Sequence, residues 1–227
     1  MKQLPLGVRL QDRAVFASFV AGPNEEALAA VQKFASGTAG ALLYLHGAAA
    51  TGRSHLLQAT CAAVPGAGYF PLRDLLELGV EVLEGIEALP LVALDDLDVI
   101  AGDAAWERGV FSVYNGCLAA GGRLVIAAAH PAGEVAVALP DLRSRLAAMP
   151  HYALRPLDDA QQRAALAAHA AMRGMELPDE TLQYLQHRFA RDMKSLTGLL
   201  DKLDLASLQE QRRVTLPFIR RVLENPG

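Results

Sequence analysis

The segment over residues 41–58, ALLYLHGAAATGRSHLLQ, constrains the fold more than any other part of the sequence. Its apolar start predicts a buried strand, and its end has the periodicity of a helix. Between them, residues 47–54 read GAAATGRS, which has the spacing of a phosphate-binding loop. Glycines allow such a loop to turn its N–H groups into one hollow, where the next helix N-terminus adds partial positive charge. The segment therefore predicts an α/β domain with a phosphate site.

One position of this loop departs from the common pattern, because Arg53 stands where lysine is usual. Arginine stays cationic and binds phosphate through a planar fork, but it is bulkier than an ammonium group. We expect nucleotide binding to survive and hydrolysis to weaken. Ser54 would supply a hydroxyl to Mg²⁺. The alternative is a glycine turn between a strand and a helix of an ordinary α/β protein.

An acidic pair follows the second strong strand signal, LVAL over residues 91–94. Asp95 and Asp96 then stand at the carboxyl end of a buried strand, which is where open α/β sheets bind ligands. We expect Asp95 to hold Mg²⁺ and Asp96 to polarise an attacking water, whereas Asp98 should be solvated.

Composition excludes several classes of protein. With 227 residues the chain suits one large domain or two smaller ones, and no window approaches a membrane span. No secretion signal is evident, and Cys61 and Cys117 have no metal-like spacing, which predicts a reduced cytoplasmic protein. The net charge of −4 argues against a general duplex-DNA binder.

The first ten residues, MKQLPLGVRL, predict an extended segment, since Pro5 and Gly7 prevent a helix. Its apolar side chains allow two interpretations. The segment either packs as a strap on its own domain or docks as a short motif in an apolar groove of another protein.

The remaining pattern predicts a helix over 25–35 with Asn24 as its N-cap, and a further helix around 75–83. Phe19 and Val20 precede the phosphate loop, a common place for adenine contacts, although they could equally belong to the core. From Pro156 onward strand patterns disappear and helices follow one another.

Four ordered motifs resemble those of the AAA+ ATPases, and especially of the bacterial replication initiator DnaA. They are LLYLHGAAATGRSHLL, LVALDDLDVI, LPDLRSRL and DMKSLTGLLDKL. The resemblance covers most of the chain. It implies an α/β P-loop domain over 11–155, with a parallel five-stranded sheet flanked by helices, and a small all-α lid domain over 156–227.

The layout is similar to that of the Hda family, the regulatory inactivators of DnaA. Initiators continue into a basic DNA-reading domain, whereas this sequence stops at Gly227 and only the segment 1–10 precedes its ATPase domain. The resemblance implies that this segment binds the DNA polymerase sliding clamp, the β subunit. The residues that match the family's clamp motif are Gln3, Leu4, Pro5, Leu6 and Val8.

The other implied ligands are ADP (or ATP) with Mg²⁺ and, as a second protein partner, the ATP-bound DnaA initiator. No sequence-specific DNA binding and no membrane contact are implied, and a homodimer is left open. The resemblance thus implies a cytoplasmic negative regulator of replication initiation that promotes hydrolysis in its partner. Two rivals are a helicase-loader-type AAA+ adaptor and a self-sufficient P-loop ATPase or kinase.

Residue roles follow from the same resemblance. Arg145 aligns with the arginine finger that acts in trans, with Arg143 as the competing choice. Ser54 and Asp95 would bind the metal. The residues implied in nucleotide binding are Phe19, Val20, Gly47, Thr51, Gly52, Arg53, Ser54, His55 and, at the sensor 2 position, Lys194.

Three positions depart from the family pattern. Arg53 replaces lysine, Lys194 stands where relatives usually have arginine, and Ala129 stands where initiators carry the polar sensor 1 residue. All three changes imply weak intrinsic hydrolysis, so that the chemistry would occur in the partner's pocket.

Overall fold

The structure, a computed structural model, describes residues 14–188, 193–210 and 214–224, without the side chains at 193–197, 208 and 224. The segment 1–10, to which the clamp prediction applies, lies outside the described residues, as does the side chain of Lys194. The chain divides into two compact units, of which the first ends at Pro156 and the second begins at Leu157.

A five-stranded parallel sheet forms the centre of the first unit, with the strand order β2-β3-β4-β1-β5. Parallel strands buried on both faces need continuous apolar runs, and β3 and β4 are such runs. The predicted fold class is confirmed. The strands are β1 (Leu42–His46), β2 (Gly68–Pro71), β3 (Leu91–Asp95), β4 (Arg123–Ala128) and β5 (His151–Ala153).

Helices cover both faces of this sheet. One buried cluster joins α1 and α2 to the sheet through Phe34 and Leu57, and another joins α4 and α5 to it through Val110 and Leu142. Cys61 and Cys117, both free and buried, belong to these cores. The helices are α1 (Glu25–Ala35), α2 (Arg53–Ala63), α3 (Leu72–Leu75), α4 (Ala104–Ala119) and α5 (Pro140–Ala147).

The prediction of a helix around 75–83 is wrong. The chain instead forms the short α3 and then 3₁₀ turns over Leu76–Leu78 and Val80–Leu83. Gly79 lies between these turns with φ of 86° and ψ of 161°, a conformation open to glycine but incompatible with a continuous helix. The leucine spacing was helical, but the glycine interrupts it.

The second unit contains only helices among its described residues. They are α6 (Asp159–Ala171), α7 (Asp179–Arg188), α8 (Met193–Glu210) and α9 (Leu216–Glu224). Leu166, Leu185, Leu200 and Ile219 are fully buried in their common core. Across the described parts of the chain, no helix combines the length and the apolar character that crossing a membrane would require.

Asn24 does not cap α1 with its side chain, contrary to the sequence prediction. Its Nδ2 donates to the carbonyl of Arg155 at 3.0 Å, and its Oδ1 accepts from the N–H of Arg155 at 2.7 Å. The side chain therefore joins the entrance of α1 to the chain that leaves β5. This pairing spans more than a hundred residues and has no local sequence signal.

We expect Asn24→Asp to lower the free energy of unfolding by about 2–3 kcal/mol, because a buried donor becomes an acceptor opposite a carbonyl. Urea denaturation at neutral pH measures this loss. Asn115→Asp is the control, since Asn115 is only half-buried and its Nδ2 donates to the carbonyl of Phe111. Equal losses in the two variants would contradict the prediction.

Candidate functional site

The loop between β1 and α2 has the backbone that its sequence predicts. Gly52 has φ of 95° and ends the loop at the N-terminus of α2. A Cβ at Gly47 would lie 2.5 Å from the carbonyl oxygen of Leu154, so a side chain is excluded there. The buried Thr51 hydroxyl donates to the carbonyl of Ala48 at 2.8 Å and closes the loop on itself. The loop thus has a hydrogen bond of its own and lies close to the backbone at Leu154.

Arg53, the first residue of α2, contains an unsatisfied donor. Its side chain is 11% exposed, and its Nη2 lies 3.8 Å from Oδ1 of Asp96. Its Nη1 is buried and has no hydrogen-bond partner within the described parts of the chain. Leaving a charged donor buried without an acceptor costs a few kcal/mol, so this position fits an anion. The loop and helix N-terminus beside it fit the same charge.

Asp95 lies 1% exposed at the carboxyl end of β3. Its Oδ2 accepts from the Tyr69 hydroxyl at 2.8 Å, and its Oδ1 accepts from the N–H of Asp96 at 2.9 Å. Burial raises the pKa of this carboxyl group, and hydrogen bonds from Ser54 and Tyr69 only partly oppose the effect.

The pair formed by Asp95 and Ser54 fits Mg²⁺. Magnesium prefers oxygen ligands and is usually held by one or two carboxylates together with water and phosphate oxygens. Among the described residues no group of three or more His, Cys, Asp or Glu side chains could hold a metal. A site with one carboxylate and one hydroxyl would therefore depend on the phosphate for further ligands.

Asp96 adopts a left-handed conformation with φ of 57° and makes ion pairs on two sides. Its Oδ2 lies 3.3 Å from Nε of Arg73, and its Oδ1 faces Arg53. Both oxygens of this carboxylate thus lie beside guanidinium groups, and the activation of a water by Asp96 stays a prediction. The sequence analysis did not identify Arg73. Its position just after β2, the strand next to β3, was the signal that could have placed it near Asp96.

Asp98 is engaged and not simply solvated, contrary to the sequence prediction. Its Oδ2 accepts from the backbone N–H of Ala129, and its Oδ1 lies 3.0 Å from Nδ1 of His130. Ala129 has no polar side chain, but Asp98 and His130 place polar groups next to it, at the end of β4. Asp98 is 31 residues or more from these partners in sequence, which explains why the contacts were missed.

Phe19 and His55 fasten the chain before α1 to the loop. The Phe19 ring lies against Gly52 and 5.5 Å from the His55 ring. Nε2 of His55 lies 3.0 Å from the carbonyl of Val15 and 3.2 Å from Oγ of Ser18. Burial lowers the pKa of His55, which favours the neutral ring. Val20, the next residue after Phe19, is half-buried.

Arg143 and Arg145 are both exposed on α5. The guanidinium carbon of Arg145 lies 5.7 Å from the centre of the Tyr114 ring on α4, a cation–π distance. The phosphate loop, Asp95 and Asp96 thus form one cluster, and the two arginines belong to a separate surface element.

Known proteins resemble both units. Residues 159–223 match the family model described as the Hda lid domain. Domain III of the replication initiation protein DnaA from Thermotoga maritima has a TM-score of 0.76 at 21% identity, covering 95% of this chain and 98% of that chain. AMPPCP-bound DnaA from Aquifex aeolicus has a TM-score of 0.68 at 18% identity, covering 88% of this chain and 68% of that chain.

A more distant structural match is a point variant of RuvB from Thermotoga maritima. It has a TM-score of 0.61 at 12% identity and covers 88% of this chain and 67% of that chain. At these identities the structures establish the fold, which is that of a DnaA-like AAA+ protein. The lid match confirms the resemblance to Hda that the sequence motifs indicated.

We expect Asp95→Asn to reduce the fall in melting temperature of the ligand-free protein between pH 4 and pH 8 by ~2–4 °C. Burial raises the pKa of Asp95 in the folded state. The wild type therefore loses stability as the pH rises above about 3.9, the pKa of an aspartate in the unfolded chain. The variant has no such charge to bury. Thermal unfolding without Mg²⁺ between pH 4 and 8 measures both curves.

The control is Asp74→Asn, since Asp74 is exposed and a substitution at an exposed position away from the core should change stability by less than about 0.5 kcal/mol. Parallel curves for the wild type and Asp95→Asn would contradict the stated cost of the buried carboxylate.

Proposed function

We propose that this chain, which joins an Hda lid domain to a DnaA-like AAA+ fold, is a nucleotide-bound negative regulator of replication initiation. The lid match is the observation that supports this function most directly. Nucleotide binding draws separate support from the buried, unpartnered Nη1 of Arg53 at the phosphate loop. The resident nucleotide in this proposal is ADP.

The proposal assigns the binding of this ligand to residues of the loop, of β3 and of the lid. Backbone N–H groups around Gly47 and Gly52 would surround the phosphates, and Arg53 would turn its free donor toward them. Ser54 and Asp95 would hold Mg²⁺, which supplies charge neutralisation to the phosphate oxygens. Phe19 and Val20 remain candidates for contacts with the base, and Lys194 remains the candidate for a lid residue that contacts the phosphates.

Slow hydrolysis in the chain's own pocket is part of the proposal. The carboxylate of Asp96 is paired with Arg53 and Arg73, and in this proposal it stays directed at these guanidinium groups and does not orient an attacking water. Ala129 offers only its backbone at the end of β4, and that N–H already donates to Asp98. A pocket of this kind suits a ligand that is kept bound more than one that is turned over.

The chemistry is proposed to occur on ATP bound by a DnaA subunit, with Arg145 supplied in trans. Its exposed position on α5 is compatible with insertion into another protein's site. A guanidinium there would neutralise charge that develops on the transferred phosphoryl group, and such a residue is worth ~10³–10⁵ in rate. Hydrolysis would leave the initiator bound to ADP.

Recruitment is assigned to the segment 1–10, whose Gln3, Leu4, Pro5, Leu6 and Val8 fit a motif for the DNA polymerase sliding clamp. A short extended peptide of this kind binds by burying a few apolar side chains in preformed pockets, each worth about 1.5–3 kcal/mol. Binding to a clamp on DNA would bring Arg145 close to initiator molecules without requiring this chain to read DNA itself.

We expect Arg53→Met to weaken ADP binding about tenfold or more, because it removes charge-assisted hydrogen bonds to phosphate. Asp96→Asn should instead tighten binding about threefold to tenfold, since it removes a negative charge beside the phosphates and frees Arg53. Asparagine tolerates the left-handed backbone at this position. Calorimetric titration with ADP and Mg²⁺ measures both effects.

Arg73→Met is the control for these titrations, because Arg73 is exposed and contacts Asp96 from the other side. It should change ADP affinity by less than about threefold, as expected for an exposed ion pair. Unchanged affinity in Arg53→Met would refute the assignment of the loop as the nucleotide site.

We expect Arg145→Ala to retain ADP binding and clamp binding but to lose stimulation of hydrolysis by ATP-bound DnaA, by about 10³-fold. The loss should appear in the maximal rate, because the guanidinium interacts most strongly with the transition state. The assay follows DnaA-bound ATP over time in the presence of clamp loaded on DNA.

Arg143→Ala is the matched control, because it removes the same charge from the same helix, two residues away. The double variant Gln3→Ala with Leu4→Ala is the control for recruitment. It should fail to stimulate ATP hydrolysis by DnaA only under conditions in which this stimulation requires the clamp. Full stimulation by Arg145→Ala would refute the assignment of Arg145 as the arginine finger. Loss of stimulation in Arg143→Ala alone would assign the finger role to Arg143.

A further inference from the structure

Glu107 is a buried acid outside the nucleotide cluster. It lies on the first turn of α4 and is 1% exposed. Its Oε1 accepts from the backbone N–H of Gly102 at 2.8 Å and of Ala138 at 2.9 Å, and its Oε2 accepts from that of Leu139 at 2.7 Å. Burial alone would raise its pKa, but these three donors outweigh it and the pKa is lowered. Glu107 is therefore a carboxylate bound to backbone.

The backbone that Glu107 binds leads directly into α5. Leu139 is the N-cap residue of this helix, its side chain provides no cap, and Pro140 follows as the first helical residue. The first N–H groups of a helix and of the chain entering it need acceptors. Glu107, 31 or 32 residues earlier, supplies acceptors for the two N–H groups just before Pro140.

Helix α4 also contacts the C-terminal part of α5. Tyr114 lies seven residues, about two helical turns, after Glu107, so the two side chains share a face of α4. Its ring is the cation–π partner of Arg145. One face of α4 thus holds the start of α5 through Glu107 and the guanidinium of Arg145 through Tyr114.

We propose that Glu107 is a positioning residue for Arg145, fixing the start of α5 so that the guanidinium is presented in one direction. This inference rests on the proposed role of Arg145. A misplacement of about 1 Å in a catalytic group costs up to about a hundredfold in rate, so an anchor of this kind has a measurable effect. The hydrogen bonds of the Glu107 carboxylate described above go to backbone N–H groups, and in this proposal Glu107 takes no part in the chemistry.

The test is Glu107→Gln, which keeps the size of the side chain but turns one acceptor into a donor. We expect the amide protons of Ala138 and Leu139 to exchange with solvent about tenfold faster or more. We also expect the maximal rate of DnaA-bound ATP hydrolysis, at saturating protein, to fall about tenfold or more. The affinity for ADP should change less than about twofold.

Asp103→Ala is the matched control. Asp103 is the N-cap of the same helix and accepts from the N–H groups of Ala105 and Trp106, so its loss destabilises α4 without touching the start of α5. It should leave both the exchange at residues 138 and 139 and the maximal rate within about twofold of the wild type, well below the melting temperature. An equal fall in rate for both variants would show a merely structural role and overturn the proposal.

Leu139→Pro provides a second route should Glu107→Gln not fold. Leu139 has φ of −71°, which proline also adopts. This change therefore removes the N–H of residue 139 that donates to Glu107 and leaves the Glu107 carboxylate in place. Leu139→Ala controls for the lost side chain. The maximal rate should fall further in the proline variant than in the alanine variant, and equal rates would overturn the proposal.

The exchange measurement separates this inference from the proposed function. If Arg145→Ala stimulates DnaA normally, the finger role fails, and with it the positioning role, whatever the exchange rates. If Arg145→Ala is inactive but Glu107→Gln is fully active with fast exchange at residues 138 and 139, the finger stands and the inference about Glu107 is wrong.

Discussion

The burial of the Asp95 carboxylate at the end of β3 is the constraint around which the site is arranged. A carboxyl group with 1% exposure is costly to ionise, and the protein surrounds it with the Tyr69 hydroxyl, the N–H of Asp96 and the hydroxyl of Ser54. The neighbouring Asp96 is directed away toward the guanidinium groups of Arg53 and Arg73. Two adjacent acids thus have different environments. Among the described residues Asp95 has no ion pair and could take its cation from Mg²⁺, whereas Asp96 pairs with two arginines.

The sequence was sufficient for those features whose signal is local. The strand, loop and helix over 41–58 could be predicted because a buried parallel strand is a continuous apolar run and because the loop needs glycine at fixed places, as Gly47 and Gly52 show. The acidic pair could be placed at the sheet's carboxyl edge for the same reason. The prediction of a helix around 75–83 is wrong because Gly79 interrupts the helical spacing of the leucines.

Features that depend on long-range hydrogen bonds could not be predicted. Asp98 with His130, Asn24 with Arg155 and Glu107 with Leu139 each join residues 31 or more positions apart, and nothing in the surrounding letters identifies the partner. The residues around Asp98 and Asn24 predicted a solvated acid and a helix cap, respectively. The residues around Glu107 predicted no particular role for it. A single sequence gives residue types and periodicity, whereas these contacts follow from how the sheet brings distant loops together.

The contact of Phe19 and His55 with the phosphate loop has a consequence for communication along the chain. Val15 and Ser18 bind His55 on α2, and the Phe19 ring covers Gly52, so the loop and the segment before α1 share one set of contacts. Binding energies at two sites that share contacts are linked, and the linkage is reciprocal. A ligand that orders or shifts this loop would therefore also act on residues 15–19. Any partner that binds residues 15–19 would change the affinity of the loop for such a ligand by the same factor as the ligand changes the affinity for the partner.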